Sequence, residues 1–219
     1  MTEKIALVTG ASRGFGAAVA EALAAKGVHV IALSRTVGAL EELDDRIQAA
    51  GGSATLVPLD ICDEEGLKRL CLSIHERWGG IDFWVHSAIF AGPLSPAGHI
   101  PLSDWDKTLA VNIRATQRLV EMVEPLLKAR EGTAILPVDS VAGKKFFASY
   151  GAAKSAQKAI WDSWAAEAAK IGPDVRTFEP NPMPTALRAR FFPGEDRSEL
   201  ADTKTEADRL VQSLGTALS

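Results

Sequence analysis

One tyrosine stands among 219 residues, against eight phenylalanines and five tryptophans. Core packing gets aromatic bulk from Phe without a hydroxyl to satisfy, so a lone phenol calls for a chemical explanation. Cysteine is almost as scarce. Cys62 and Cys71 form no CxxC pair and are too few for a disulfide framework, as expected of two reduced thiols in a cytoplasmic protein. A basic excess is also missing: the formal net charge is -4, which argues against a nucleic-acid partner. No apolar stretch approaches the roughly 20 residues that span a bilayer. The polar start Met1 to Lys4 leads directly into a short apolar run, which is not a signal-peptide pattern. His29, His75 and His99 have no metal-ligand spacing with Cys or carboxylates, so no metal is expected.

The remaining composition, 47% hydrophobic and 24% charged, suits one domain over residues 1–219 with a full core. Short apolar runs alternate with helical patterns. Strands are expected at 4–10, 28–34, 53–60, 81–88, 132–140 and 174–180, and helices at 14–26, 37–50, 63–78, 104–129 and 150–171. Several of the strand runs are continuously apolar, as in parallel strands covered on both faces. Thr36, Asp63 and Ser103 stand at N-cap positions, and Gly27, Gly51 and Gly79 follow helix ends. The alternation predicts a three-layer, doubly wound α/β fold with right-handed crossovers. Residues 180–200, with four prolines, form the one long irregular segment, expected to act as a lid.

The first strand ends in "TGASRGFG", which puts Gly10, Gly14 and Gly16 at a strand-to-helix turn. Glycine there allows close backbone approach to a pyrophosphate, and the helix N-terminus favours its charge. An acidic residue ending the second strand would bind the ribose hydroxyls of NAD. That acid is missing. "ALSR" supplies Ser34 and Arg35 instead, with Arg13 nearby in the turn. Two guanidinium groups suit a 2′-phosphate, so NADP(H) is expected over NAD(H).

The second informative stretch is "VDSVAGKKFFASYGAAK", with Ser140, Tyr150 and Lys154. Four residues apart on a helix, Tyr150 and Lys154 share a face. An ammonium beside a phenol stabilises phenolate and moves its pKa toward the range useful in acid–base catalysis. With the glycine turn, this stretch resembles the short-chain dehydrogenase/reductase family of Rossmann-fold oxidoreductases, over residues 4 to 190. The family's TGxxxGxG turn is Thr9 to Gly16, and its YxxxK pair is Tyr150 and Lys154. The resemblance implies a catalytic set of Asn112, Ser140, Tyr150 and Lys154. Tyr150 would protonate a carbonyl oxygen, Ser140 would hydrogen-bond it, Lys154 would hold the nicotinamide ribose, and Asn112 would support a water leading to Lys154. It also implies cofactor contacts from Gly10, Ser12, Arg13, Gly14, Phe15, Gly16, Ser34, Arg35, Asp60, Ile61, Ser87, Ala88, Tyr150, Lys154 and Thr185.

Three departures qualify it. "HSAI" at His86 to Ile89 replaces "NNAG". His86 could stand in for the amide's hydrogen bonds or bring a titrating group to the cofactor, while Ile89 would crowd the cofactor's approach. "PNPMPT" at 180–185 replaces a Pro-Gly step, with Asn181 able to tolerate a left-handed conformation. After the helical pattern from Thr203 the family's seventh strand is lacking, so about six strands and an exposed last edge are expected. Lys144, Lys145, Arg188 and Arg190 read either as receptors for an anionic substrate or as solvated loop charges. Phe146, Phe147, Phe191 and Phe192 read equally as pocket lining or loop anchors.

The expectation is thus an NADP(H)-dependent oxidoreductase, a carbonyl reductase or alcohol dehydrogenase acting on a small molecule. It would be a homodimer through the helices at 104–129 and 150–171. The rival expectation is a non-catalytic NADP-binding regulatory or scaffold protein of the same fold.

Overall fold

A computed structural model describes residues 3–218. Six strands form one all-parallel sheet in the order β3-β2-β1-β4-β5-β6. They are β1 (Ile5–Thr9), β2 (His29–Ser34), β3 (Ala54–Pro58), β4 (Phe83–His86), β5 (Thr133–Pro137) and β6 (Asp174–Phe178). Each lies inside the run expected for it. β1 shows why the run is continuously apolar: Ala6 and Val8 enter one core cluster, and Ile5 and Leu7 the other. The first cluster packs the sheet against α1 (Gly14–Ala24), α2 (Val37–Ala49) and α8 (Thr203–Ser213). The second packs it against α3 (Glu64–Trp78), α5 (Ala115–Lys128) and α6 (Ala148–Ala168). Small side chains, Ala17, Ala20 and Ala24, let α1 approach the sheet closely. Strand order reverses between β1 and β4, and a doubly wound sheet binds ligands in the crevice beyond the strand ends at that point.

Asp63 caps α3 by accepting from Gly66 N at 3.0 Å, as expected. Thr36 precedes α2 but its side chain caps nothing; its N–H instead donates to Ser34 Oγ at 3.2 Å. The helix expected at 104–129 differs more. It begins at Leu102, after Pro101 rather than at Ser103, as α4 (Leu102–Thr108). A π-helical turn at Leu109–Arg114 then interrupts it before α5. Its cause is tertiary. Asn112 turns into the fold, accepts from Phe90 N and donates to Phe90 O, each at 2.7 Å. Widened turns of this kind collect at functional sites.

The segment 180–200 contains order that its prolines conceal. α7 (Ala186–Phe191) is capped by Thr185, whose hydroxyl accepts from Arg188 N at 3.2 Å. Arg188 forms a two-armed ion pair with Glu195 that closes the following loop. Asn181 is not left-handed, since the positive-φ residues other than glycine are Glu131 and Phe146. Its backbone N–H and side-chain amide instead donate to the buried carboxylate of Glu206 on α8, at 2.9 and 2.8 Å. β6 ends the sheet and is mostly exposed, as an unpaired edge should be.

Candidate active site

A cleft of about 1100 Å³ opens along the C-terminal ends of the strands. It is large for a single drug-sized ligand, whose pockets run from about 300 to 1,000 Å³. At one end lies the glycine turn. Gly10 has φ +79°, and a Cβ there would stand 2.6 Å from Ala88 N, so no other residue fits. A Cβ added at Gly14, at φ +58°, would stand 3.6 Å from the Thr185 methyl. Two segments far apart in sequence therefore meet beside the turn. Arg13 precedes α1 in extended conformation and no side chain caps that helix, which leaves first-turn N–H groups for an anion. Ser87 Oγ is buried beside Gly16 without a hydrogen-bond partner among the described residues. These features, an uncapped helix start and an orphaned hydroxyl on the cleft, fit a dinucleotide.

Ser12, Phe15, Ser34, Arg35, Asp60, Ile61 and Ala88 line the same cleft. Ile61 is buried at its floor. Asp60 Oδ2 lies 3.6 Å from the Arg35 guanidinium, while its other oxygen accepts from Cys62 N. Arg35 and Arg13 are both exposed at this end.

Ser140, Tyr150, Lys154 and Ile89 line the other end. Tyr150 sits in the first turn of α6, packed edge-on against Phe191 and beside Phe147. Its hydroxyl donates to Asp139 Oδ2 at 2.7 Å. Burial, then the Asp139 charge and hydrogen bond, push the phenol well above its ordinary value. That is the opposite of the direction expected from lysine alone. The Lys154 amine is turned to the Pro137 carbonyl, donating at 2.7 Å. Burial holds Lys154 below the usual lysine range, against a smaller upward pull from Asp139. Ser140 is exposed on the cleft, and its side chain has no hydrogen-bond partner among the described residues. Asn112 has both amide groups engaged with Phe90, and its carbonyl accepts from Thr116 Oγ1 at 2.7 Å. Its side chain pins the wall after β4.

His86 is 2% exposed, between Thr9 Oγ1 at 2.8 Å and Thr116 Oγ1 at 3.0 Å. Thr116 also receives Gln157 Nε2 at 3.0 Å. With a neutral ring, Thr9 donates to Nδ1, Nε2–H donates to Thr116, and Thr116 donates to the Asn112 carbonyl, which satisfies all of these bonds. Burial, with a smaller contribution from Lys154, pushes His86 down to about 3. The imidazole therefore takes the tying role weighed for it. Ile89 packs against the cluster of Ala91, Phe147, Tyr150 and Phe191. The phenylalanines divide: Phe147 is buried away from the cleft, Phe191 and Phe192 line it, and Phe146 is exposed.

Asp139 and Glu206 are the site and support residues that the sequence reading missed. Asp139 did carry a signal, being an acid at the C-terminal end of a central strand, where such folds gather chemistry. Glu206 carried another, an acid immediately before the apolar positions that α8 buries.

Among the described residues no helix is long and apolar enough to cross a membrane, and no His/Cys/Asp/Glu group could hold a metal. The short chain dehydrogenase family profile matches residues 4–196. An uncharacterized oxidoreductase of Listeria innocua is 30% identical over 209 residues, 94% of this chain and 79% of that one. Mouse dehydrogenase/reductase SDR family member 4 is 28% identical over 213 residues, 96% of this chain and 76% of that one. Among solved structures, an Escherichia coli chain assigned to the short chain dehydrogenases and complexed with NADPH has a TM-score of 0.88. It is 28% identical, with 99% of this chain and 91% of that chain covered. With the sheet order, the glycine turn and the Tyr150–Lys154 pair, these likenesses agree: the chain belongs to the short-chain dehydrogenase/reductase family of Rossmann-fold oxidoreductases.

Proposed function

We propose that this protein is an NADP(H)-dependent oxidoreductase that interconverts a carbonyl and a secondary alcohol on a small molecule. The observation that carries this reading is the placement of Arg13, Arg35 and the glycine turn on one cleft with Ser140, Tyr150 and Lys154. NADPH, when bound, supplies the hydride. The turn from Gly10 to Gly16 would take its diphosphate, with Thr185 opposite. Arg13 and Arg35 would take the 2′-phosphate, where Asp60 already orients Arg35. Asp60 and Ile61 would lie by the adenine, Ser34 by its ribose, and Ser87 and Ala88 along the floor. Relatives solved with NADPH or NADP, from Escherichia coli and Shigella flexneri, support this cofactor.

Lys154 would hold the nicotinamide ribose. Its amine is held at the Pro137 carbonyl, and both residues line the cleft. Ser140, exposed and unengaged, is free to donate to a carbonyl oxygen as negative charge develops. Tyr150 would donate the proton that this oxygen takes up. Asn112 keeps the wall after β4 in place through Phe90. A pure dinucleotide binder has no need of Ser140, Tyr150 and Lys154 around one cleft, which disfavours the scaffold reading. Pairing through α4–α5 and α6, in the cytoplasm, completes the proposal, and sedimentation equilibrium tests the dimer.

Titration with NADPH and competition by NADH, followed by cofactor fluorescence, tests the cofactor. A clear NADPH preference that Arg35→Ala abolishes is expected, and equal binding of both would overturn it. In a carbonyl substrate screen, Tyr150→Phe should lower reduction by roughly 10²–10⁴-fold while NADPH still binds. Unchanged turnover would remove Tyr150 from the chemistry.

A further inference from the structure

Tyr150 faces Asp139, and no function assigned so far uses that carboxylate. Asp139 lies two residues beyond β5 and is exposed to the cleft, yet one of its oxygens accepts a hydrogen bond from the buried phenol at 2.7 Å. Other charges around the phenol are otherwise engaged or more distant. Lys154, on the same helix, donates to Pro137. From α7, Arg190 donates to the Ala91 carbonyl and Arg188 is paired with Glu195. From α4, Lys107 lies over the Phe90 ring at 4.7 Å, and Asp104 lies by Gly92. Lys144 lies in the loop between β5 and α6 and lines the cleft without a salt-bridge partner among the described residues. Among these residues Asp139 is the only carboxylate bonded to the hydroxyl.

We infer that Asp139 is a positioning residue that holds the Tyr150 phenol protonated, and so biases the site toward carbonyl reduction over alcohol oxidation. The inference rests on the proposed function and adds its working direction. Ionising the phenol would set a phenolate against a carboxylate at hydrogen-bond distance, a like-charge pair. The protonated form is therefore retained to higher pH. In reduction this costs little. As the hydride's electron pair forms the new C–H bond, the C=O π electrons move to oxygen. The alkoxide that develops is a stronger base than phenolate, so it still takes the phenol's proton. That proton is then replaced from solvent, to which Asp139 is open. Oxidation needs the reverse, a phenolate ready to accept the alcohol's proton, and Asp139 keeps that form scarce at neutral pH. The equilibrium constant is untouched; what changes is the pH range over which each direction runs.

The single tyrosine makes the test clean. Biosynthetic replacement of tyrosine by 3,5-difluorotyrosine, a more acidic phenol, labels this one site and brings its titration into the range where the fold persists. Fluorine NMR of the cofactor-free protein would follow ionisation in wild type, Asp139→Asn and Asp139→Ser, with circular dichroism reporting the fold. Asn keeps a hydrogen-bond acceptor and removes only the charge. Both variants are expected to ionise at least about one pH unit below wild type. Alcohol oxidation by Asp139→Asn should reach its plateau at correspondingly lower pH. Titration at the same pH in all three folded proteins would overturn the inference. Failure of the proposed function would appear separately, as absent NADPH binding or turnover, and would leave the fluorine titration readable.

Discussion

His86 gives the protein a specific sensitivity to acid. Folded, its pKa lies at about 3; unfolded, it returns to 6.5. The unfolded chain therefore binds the extra proton first as pH falls. The stabilisation conferred by a neutral His86 is complete above 6.5 and declines steadily from there toward 3. Below 6.5 the slope approaches about 1.4 kcal/mol per pH unit, so between pH 7 and pH 5 the loss is about 2 kcal/mol. The bonding pattern states the same cost structurally. A protonated ring would donate from both nitrogens, and Thr9 would have to turn its hydroxyl to the Val85 carbonyl, 3.4 Å away. His86→Asn removes the titration and keeps one donor and one acceptor. Urea unfolding of both proteins at pH 7, 6 and 5 gives the difference in stability between them. Every other titrating group, including His29 with its own lowered pKa, is shared and cancels. Wild type should lose about 2 kcal/mol relative to the variant across that range. A difference that does not change with pH would refute the buried neutral imidazole.

Two further perturbations probe the frame around the cleft. Gly10→Ala places a Cβ against the Ala88 backbone at positive φ, so a loss of at least about 2 kcal/mol is expected, together with lost NADPH binding. Urea midpoints and fluorescence titration check it, and unchanged values would contradict the close approach. Glu206→Ala strips Asn181 and Arg209 of the buried carboxylate that both engage. About 1 kcal/mol of stability should go, whereas Glu206→Gln, which can still accept from Asn181, should lose less by the same measurement.

Local periodicity and short motifs carry information over a few residues, and what depended on them was legible from the chain. Six strands, their parallel character and the order of helices follow from apolar runs that must be covered on both faces, such as Ile5–Thr9. Gly10 and Gly14 announce the turn, and Tyr150 and Lys154, one helical turn apart, announce a paired site. Tertiary structure alone decided the rest. Asn112 meets Phe90 22 residues away, Glu206 meets Asn181 25 away, and His86 meets Thr9 77 away. No local pattern encodes such pairs, because buried polar groups take whatever partner packing brings within reach. Sequence placed a lysine one turn from the phenol; folding turned that lysine to a carbonyl and set Asp139 against the hydroxyl. The sequence thus singled out Tyr150 and its lysine, while the direction of the phenol's pKa shift was set by burial and a neighbouring charge that exist only once the chain has folded.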